Sequence, residues 1–555
     1  MSVFGRRKGG QPPADEYSRT DSPTHGGGVS PMGIMGMVMG VLLVLLGIAA
    51  VVLSSLALSK TVSISNDIKA LEVPQALEAA QPARFGVCAI MINALSNTVI
   101  ASFRSYGVVT DTMPEIKAIC VYTTADGYAA IQARPDVQTA ELDVEIPAPV
   151  NDAEINMTST LSAEDIEAAQ LSDVEYLAAL NPPDFVATGA STWWTDQMNA
   201  VSFGNPATST TPDYTGDGVY VFVHDTGLVT KWRSFFPVGR IDTQYAAAVV
   251  GGQGVAKQIV KNPASSWSSD TNGHGTVVTA CIIGHHITDA WASSFGPVYG
   301  GVSGDVAGVA PRATIVPIKI YPGNGRAFDS VHAASFLYTA SLKAPGGPLY
   351  GKSVIINYSS NTPVPTSIQR AAVQYAISVG VIFVAAAGNL GSSGMGWPGA
   401  YPEAISAGAI GVSAQLSVAD WAFAYNVPEP TAAADNYVPS FSSRQLAGQQ
   451  LDVLAPGVYV LMPFMNLGQS SAVLSFWSGT SFSSPLVSAT VALMLEKTPS
   501  LTQVSVESIL KSTATPMTAP SCRLVTFYSG VFNQCWNTNA VGSGMVDVLA
   551  AVTAA

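Results

Sequence analysis

Charge is scarce in this chain: Asp, Glu, Lys and Arg make up 11% of 555 residues, while apolar residues make up 48%. So little charge beside so much apolar material excludes an intrinsically disordered or coiled-coil protein and leaves enough to bury a sizeable core. Basic residues are the minority, 25 Lys and Arg against 38 Asp and Glu, and the formal net charge of −13 offers no footprint for nucleic acid. Cysteine is rarer still. Five in a chain of this length do not make a disulfide scaffold, and two readings stand. They are small buried residues, or, if the chain is exported, two local bridges that leave Cys281 unpaired. Cys88 and Cys120 fall in one segment, and Cys522 and Cys535 bracket a short, polar, loop-like one. There is no internal repeat, and the length implies two to four units.

One long uncharged run stands out. Residues 32–58, MGIMGMVMGVLLVLLGIAAVVLSSLAL, would extend about 40 Å as a helix, against about 30 Å of bilayer hydrocarbon. Arg6, Arg7, Lys8 and Arg19 precede it, which favours a cytoplasmic N-terminus and puts the rest of the chain outside the cell or in an organelle lumen. A cleaved signal peptide has a shorter apolar core and a shorter charged lead. The expectation is a cytoplasmic tail over 1–31, a transmembrane signal-anchor over 32–58 and a polar spacer over 59–83.

From residue 84 the pattern changes. FGVCAIMI (85–92), AICVY (118–122) and the alternating VQTAELDV (137–144) read as strands, with helices between them at NALSNTVIASF and DGYAAIQA. That order predicts a compact α+β unit with an antiparallel sheet over 84–146. Residues 147–190, with several Pro, Asn, Ser and acidic residues, read as an exposed linker. After 191 come GVYVFV, TIVPIKI, SVIINYS and GVIFVAAAG, apolar without alternation, as parallel strands covered on both faces are. The large unit, 191–555, is therefore predicted to be α/β with a mostly parallel sheet.

Four segments of this unit carry candidate chemistry. VYVFVHDTG ends a buried run on Asp225, and sites in open α/β sheets form beyond the carboxyl ends of strands. NGHGTVVTACIIG sets His274 between two glycines, where another backbone can come close. VIFVAAAGN closes a strand with Asn389, whose amide can donate a hydrogen bond. SGTSFSSPLVSATVALML puts Ser481 at the start of an apolar helix, whose free N–H groups suit a developing oxyanion. The Pro485 that follows is expected in the first helical turn, where its missing N–H is not needed. Singly, each residue has an ordinary role as a turn former, a structural His or a helix cap.

Taken together, HDTG, GHGT, AAAGN and SGTSFSSP resemble the signature segments of subtilisin-like serine proteases. GVAPRATIVPIKI (308–320), VIINYSS (354–360), FSSRQ, LDVLAPGV and the closing GSGMVDVLAAV resemble that family's framework, so the likeness covers about 191–555. It implies a three-layer subtilisin-like domain. It also implies an endopeptidase in which Asp225 orients His274, His274 takes the proton of Ser481, and Asn389 with the Ser481 N–H holds the oxyanion. No cofactor is required for that chemistry; the family's calcium loops have no clear counterpart, so a structural calcium stays unassigned and no metal ligand is proposed. Substrates would be proteins or peptides.

Residues 84–146 resemble the family's ferredoxin-like inhibitory propeptide, an intramolecular inhibitor whose removal by cleavage within 147–190 would free the enzyme from its anchor. In that fold the first and third strands are neighbours, which implies a Cys88–Cys120 disulfide. Several positions depart from the family pattern. Val277 stands where a second His is common, and Phe482 and Ser483 replace Met-Ala. In NYSSN, Ser360 and Asn361 replace a Leu and a Gly of the cleft wall that Ser359 and Gly388 help to form, and would narrow the primary specificity pocket. Inserted material at about 285–305, 411–440 and 514–541 is assigned to loops. Asn156 heads a glycosylation sequon in the linker, whereas a second at Asn357 falls in the cleft and would go unused. The competing reading is a non-catalytic surface binding protein on a protease scaffold, which loss of a triad residue would favour; none is lost. The kexin type is set apart by the want of an acidic cluster placed to read basic residues.

Overall fold

The computed structural model describes residues 83–149, 192–200, 214–252, 255–287, 304–323, 325–413, 435–465, 472–527 and 530–555. The signal-anchor over 32–58, its flanking tail and spacer, and Asn156 lie outside them. Among the described residues no helix is long and apolar enough to cross a membrane.

Period-two alternation builds the smaller unit. Strands β1 (Arg84–Met91), β2 (Gly107–Met113), β3 (Ala118–Thr124) and β4 (Val137–Leu142) form an antiparallel sheet in the order β2-β3-β1-β4. Helices α1 (Asn97–Phe103) and α2 (Ala125–Gln132) start at Ser96 and Thr124, whose hydroxyls accept the N–H groups of Val99 and Gly127. Ala89, Met91, Ile119 and Val121 pack with Phe103 and Ile131 of these helices. The residues between them, Cys88, Ala118 and Cys120, belong to a core shared with the larger unit. β2 was not predicted. Its Thr110, Asp111 and Thr112 interrupt the apolar run, and this edge strand is defined by its pairing with β3.

Cys88 stands opposite Cys120 in the β1–β3 register, and the two form a disulfide. Closing that loop is worth about 3–4 kcal/mol to the unit in a chain-entropy account. Cys88→Ser is therefore expected to lower the unit's melting temperature and change the chain's mobility on a non-reducing gel. Unchanged mobility and melting would count against the bridge.

The larger unit runs through β6 (Val219–Asp225), β7 (Ala247–Gly252), β8 (Val255–Val260), β9 (Gly284–Ile287), β10 (Gly304–Ala307) and β11 (Thr314–Lys319). Before these, β5 (Glu145–Pro147) follows the small sheet. After them come β12 (Arg326–Phe328), β13 (Ser353–Tyr358), β14 (Val381–Ala386), β15 (Ile405–Val412), β16 (Asn436–Tyr437) and β17 (Val453–Pro456). Two ribbons close the series, β18 (Val460–Met465) with β19 (Ala472–Trp477) and β20 (Ser521–Phe527) with β21 (Gly530–Trp536). The main sheet has the order β16-β15-β14-β13-β6-β11-β7-β8, with β17 also on β15. It is parallel except where β16 and β8 join.

Helices cover both faces, which is why its strands carry no polar alternation. From β6, Val219, Val221 and Val223 enter one core and Phe222 the other; from β14, Ile382 and Val384 separate from Val381, Phe383 and Ala385 in the same way. The first core holds α4 (His274–Ile283) and α7 (Thr480–Lys497); the second holds α5 (Asp329–Lys343) and α6 (Ser367–Ser378). The short α3 (Trp193–Gln197) inserts Trp193 and Trp194 into the first core, 2% and 1% exposed, which makes it part of the large unit's body.

All three segments assigned to loops are partly regular: within 411–440, Gly411 and Val412 at the end of β15 pair with Tyr437 and Asn436 of β16. Residues 284–287 and 304–307 pair as β9–β10. Residues 521–536 form the β20–β21 hairpin with Cys522 opposite Cys535, joined by a disulfide. SCRLVTF and GVFNQCW are rich in β-branched and aromatic residues, which is strand chemistry rather than loop chemistry. Cys281 is free and buried, and burial pushes its thiol well above the usual range.

Candidate active site

The parallel sheet aims its carboxyl ends at one region. Asp225, the last residue of β6, is fully buried and presents both carboxylate oxygens 2.9 Å from Nδ1 of His274. His274 is the first residue of α4. The glycine after it is dictated by packing, since a Cβ on Gly275 would stand 2.3 Å from the Gly227 carbonyl oxygen. The rings of Phe482 and Trp477 flank the imidazole at 5.4 and 6.2 Å.

Ser481 is the second residue of α7, so its own N–H has no acceptor within the helix. Its Oγ donates to the Ser359 carbonyl at 3.0 Å rather than to His274, whose Nε2 is buried without a hydrogen-bond partner. Asn389 follows β14 and fixes its amide through Oδ1, which accepts the N–H and the hydroxyl of Thr480, both at 2.9 Å. Its Nδ2 is thereby turned to the Gly479 side, 3.2 Å from where a Cβ on Gly479 would stand.

Pro485 is the sixth residue of α7, beyond the first turn, contrary to the expected placement. The carbonyl it leaves without an intrahelical donor is that of Ser481 itself. Ser359 Oγ supplies the donor at 2.8 Å, so Ser359 holds Ser481 at both its hydroxyl and its carbonyl. Of the other cleft residues, Ser360 is buried and hydrogen-bonds the hydroxyl of Tyr321. Asn361 packs against Gly396 and lies near Gly388, whose N–H donates to Thr480 Oγ1 at 3.1 Å. Asn357 is fully buried, donating to Ser359 Oγ and accepting from Ser484 and Ser488, which closes that sequon to a glycan. Among the described residues no group of three His, Cys, Asp or Glu side chains could hold a metal ion.

Several neighbours of the site carry no sequence signal of their own. Thr226, Asp270 and Lys319 form a buried polar layer behind Asp225: Thr226 N–H donates to Asp225 Oδ1 at 2.7 Å, Thr226 Oγ1 to Asp270 Oδ2 at 2.9 Å, and Lys319 Nζ to the Thr226 carbonyl at 2.6 Å. Asn272, two residues before His274, reaches the other way, its Nδ2 donating to the Pro149 carbonyl at 3.1 Å.

The sequence model of the Subtilase family matches residues 216–544, the span that holds this geometry. Subtilisin DY of Bacillus licheniformis is 30% identical over 306 residues, 54% of this chain and 85% of that protein. Subtilisin BL of Lederbergia lenta is 29% identical over 337 residues, 61% of this chain and 91% of that protein. Fervidolysin from Fervidobacterium pennivorans, a keratinolytic enzyme related to subtilisin, superposes with a TM-score of 0.55 at 19% identity, covering 86% of this chain and 62% of that one, a likeness of fold. With a family match over more than half its length, the chain belongs to the subtilase family and is a subtilisin-like serine endopeptidase.

Proposed function

We propose that peptide bonds are cut by Ser481 as nucleophile, with His274 as general base and then acid, Asp225 as its orienter, and Asn389 Nδ2 with the Ser481 N–H as oxyanion donors. The observation that carries this reading is the bifurcated approach of Asp225 to His274 Nδ1 at 2.9 Å, which commits Nδ1 and leaves the buried Nε2, without a hydrogen-bond partner, as the ring nitrogen that can serve as base. A hydroxyl attacks only as a base removes its proton, and the imidazolium so formed faces a buried carboxylate. The substrate's own backbone N–H can take the Ser359 carbonyl, freeing Ser481 Oγ to turn to Nε2. The test is the loss of turnover in Ser481→Ala, argued below.

The smaller unit we read as an inhibitory propeptide of ferredoxin-like β-α-β-β-α-β order. Its tail supports this. β5 pairs antiparallel with the edge strand β12, Ala148 N–H continues the ladder to Gly325 at 2.6 Å, and Pro149 ends on Asn272 beside His274. A peptide strand added to a cleft edge blocks the path of a substrate strand. Upstream, Asp143 accepts the N–H and hydroxyl of Ser330 and Glu141 those of Ser367, so two carboxylates sit at the N-termini of α5 and α6. Lys257 adds an ion pair to Asp111 at 3.7 Å.

This interface predicts a pH dependence. Burial raises the carboxyl of Asp143 above its usual range, and burial together with Asp143 and Glu141 raises that of Asp329 to about 7. Groups whose protonation is easier in the complex take up protons on docking. The rise of Asp143, and the part of the Asp329 rise that Asp143 and Glu141 cause, belong to the interface, so docking is strongest below the free carboxyl range of about pH 4 and weakens as pH rises above it. After processing, activity is expected to emerge faster at pH 7 than at pH 5, measured by hydrolysis of a chromogenic peptide; a pH-independent lag over that range would contradict it.

Residues 32–58 as a signal-anchor with a cytoplasmic N-terminus, a catalytic unit outside the cell or in a lumen, and self-cleavage within 147–190 complete the proposal. Two disulfides suit an oxidising compartment. The burial of Trp193 and Trp194 sets the downstream limit of the cut, since losing either large side chain from the core would cost about 3–5 kcal/mol. Sequencing the mature N-terminus tests this, and a start beyond Trp193 would overturn it.

A further inference from the structure

We propose that Asp270 is a positioning residue of the active site, acting on Asp225, and through it on His274, by way of the Thr226 hydroxyl. The proposal rests on the triad reading above and deepens it. Thr226 joins the two elements that carry the Asp and the His: its N–H donates to Asp225 Oδ1, and its Oγ1 accepts the N–H of Gly275, next to His274, at 2.9 Å. The same Oγ1 lies 2.9 Å from Asp270 Oδ2 and 3.2 Å from Asp225 Oδ1. A hydroxyl has a single proton, so the two carboxylates compete for it.

The competition has two outcomes. Ionised Asp270, the nearer acceptor, takes the proton; Asp225 then keeps its full charge for the imidazole, and Asp270 adds a second negative charge behind it. Protonated Asp270 instead donates to Oγ1, the Thr226 proton passes to Asp225, and part of that carboxylate's charge is spent on the hydroxyl. Asp270 is 8% exposed, and its Oδ1 accepts the N–H of Asn272 at 2.9 Å, so it is anchored within the segment that leads into His274. Burial pushes its carboxyl up to about 6, against the pull of Lys319. The charged and titratable groups around it are Lys319, Asp225, His274 and, across a cavity of about 190 Å³ that Asp270 and Lys319 also line, Tyr321. The hydroxyl thus changes partner inside the pH range in which a histidine base works. No substrate needs to touch Asp270 for this.

The test compares kcat and KM of the processed enzyme from about pH 5 to about pH 9. In Asp270→Asn the amide can donate to Oγ1 at every pH. The expected result is a kcat about threefold to tenfold lower, KM within about twofold, and an acid limb moved to lower pH. Thr226→Val should reproduce the loss of kcat and Thr226→Ser should restore the wild-type profile; this pair also carries the test if Asp270→Asn does not fold. A readout independent of turnover is the low-field proton resonance shared by Asp225 and His274, recorded on the full chain carrying Ser481→Ala. It should shift upfield when Asp270→Asn is added. A fall in melting temperature alone, with resonance and pH profile as in the parent, would make Asp270 merely structural and overturn the proposal. Since the resonance does not depend on catalysis, failure of the peptidase reading and failure of this one are separately visible.

Discussion

Ser481→Ala is expected to lower kcat by about 10⁶-fold with little change in KM, the magnitude measured in subtilisin itself and carried over by family membership. Nothing nearby can replace the lost oxygen. Ser359, whose carbonyl holds the Ser481 hydroxyl, has its own Oγ committed to the Ser481 carbonyl that Pro485 leaves bare, a bond the substitution does not release. Substrate binding survives because the alanine keeps the helix start, its N–H and the Ser359 carbonyl. The residual rate is the part that the oxyanion donors and binding supply without a nucleophile. The same variant should stay uncut within 147–190. A shorter form appearing from purified Ser481→Ala chain would mean that maturation is not autocatalytic.

Asn389→Ala should cost about 10²–10³ in kcat, or ~3–4 kcal/mol, again the loss measured for this donor in subtilisin. The geometry explains why the effect should fall on kcat. Asn389 Oδ1 is held by two bonds from Thr480, so Nδ2 waits in a fixed place before charge develops. On the proposed reading it donates to the tetrahedral oxyanion as charge develops and gives little to the uncharged carbonyl of the bound substrate. Thr480→Val separates orientation from donation, because it keeps Nδ2 but removes one of the two bonds that aim it. Its loss should be smaller than that of Asn389→Ala. Equal losses, or a KM that rises as much as kcat falls, would assign Asn389 to binding rather than to the transition state.

The sequence carried the architecture furthest where burial is complete. VYVFV, SVIINY and VIFVAA have no polar face because helices cover both sides of the sheet, so their runs announced parallel strands. β2 escaped notice because an edge strand tolerates Thr and Asp, and only pairing with β3 defines it. The β20–β21 hairpin was obscured by its setting between family segments, although its residues favour strands.

At the site, Asp225, His274, Asn389 and Ser481 were legible because each lies at or just beyond the end of an element within a recognisable string. Their supports were not. Asp270 is adjacent to the GHGT string yet reads as a turn former, and nothing in the spacing reveals that Thr226 lies between two carboxylates. Lys319 ends a strand that reads as purely apolar, and its charge is met only by groups brought there by the fold. The double contact of Ser359 with Ser481 joins residues 122 apart in the chain and follows from packing β13 against α7.

The most direct measurement is labelling by a fluorophosphonate, which bonds only to a serine whose proton an adjacent base removes. After the propeptide is cleared from the processed chain, the account predicts one adduct, mapped by peptide mass spectrometry to Ser481 and lost in Ser481→Ala and His274→Ala. No adduct on the cleared wild-type chain, or one on another serine, would contradict the assignment of Ser481, His274 and Asp225 as the working triad.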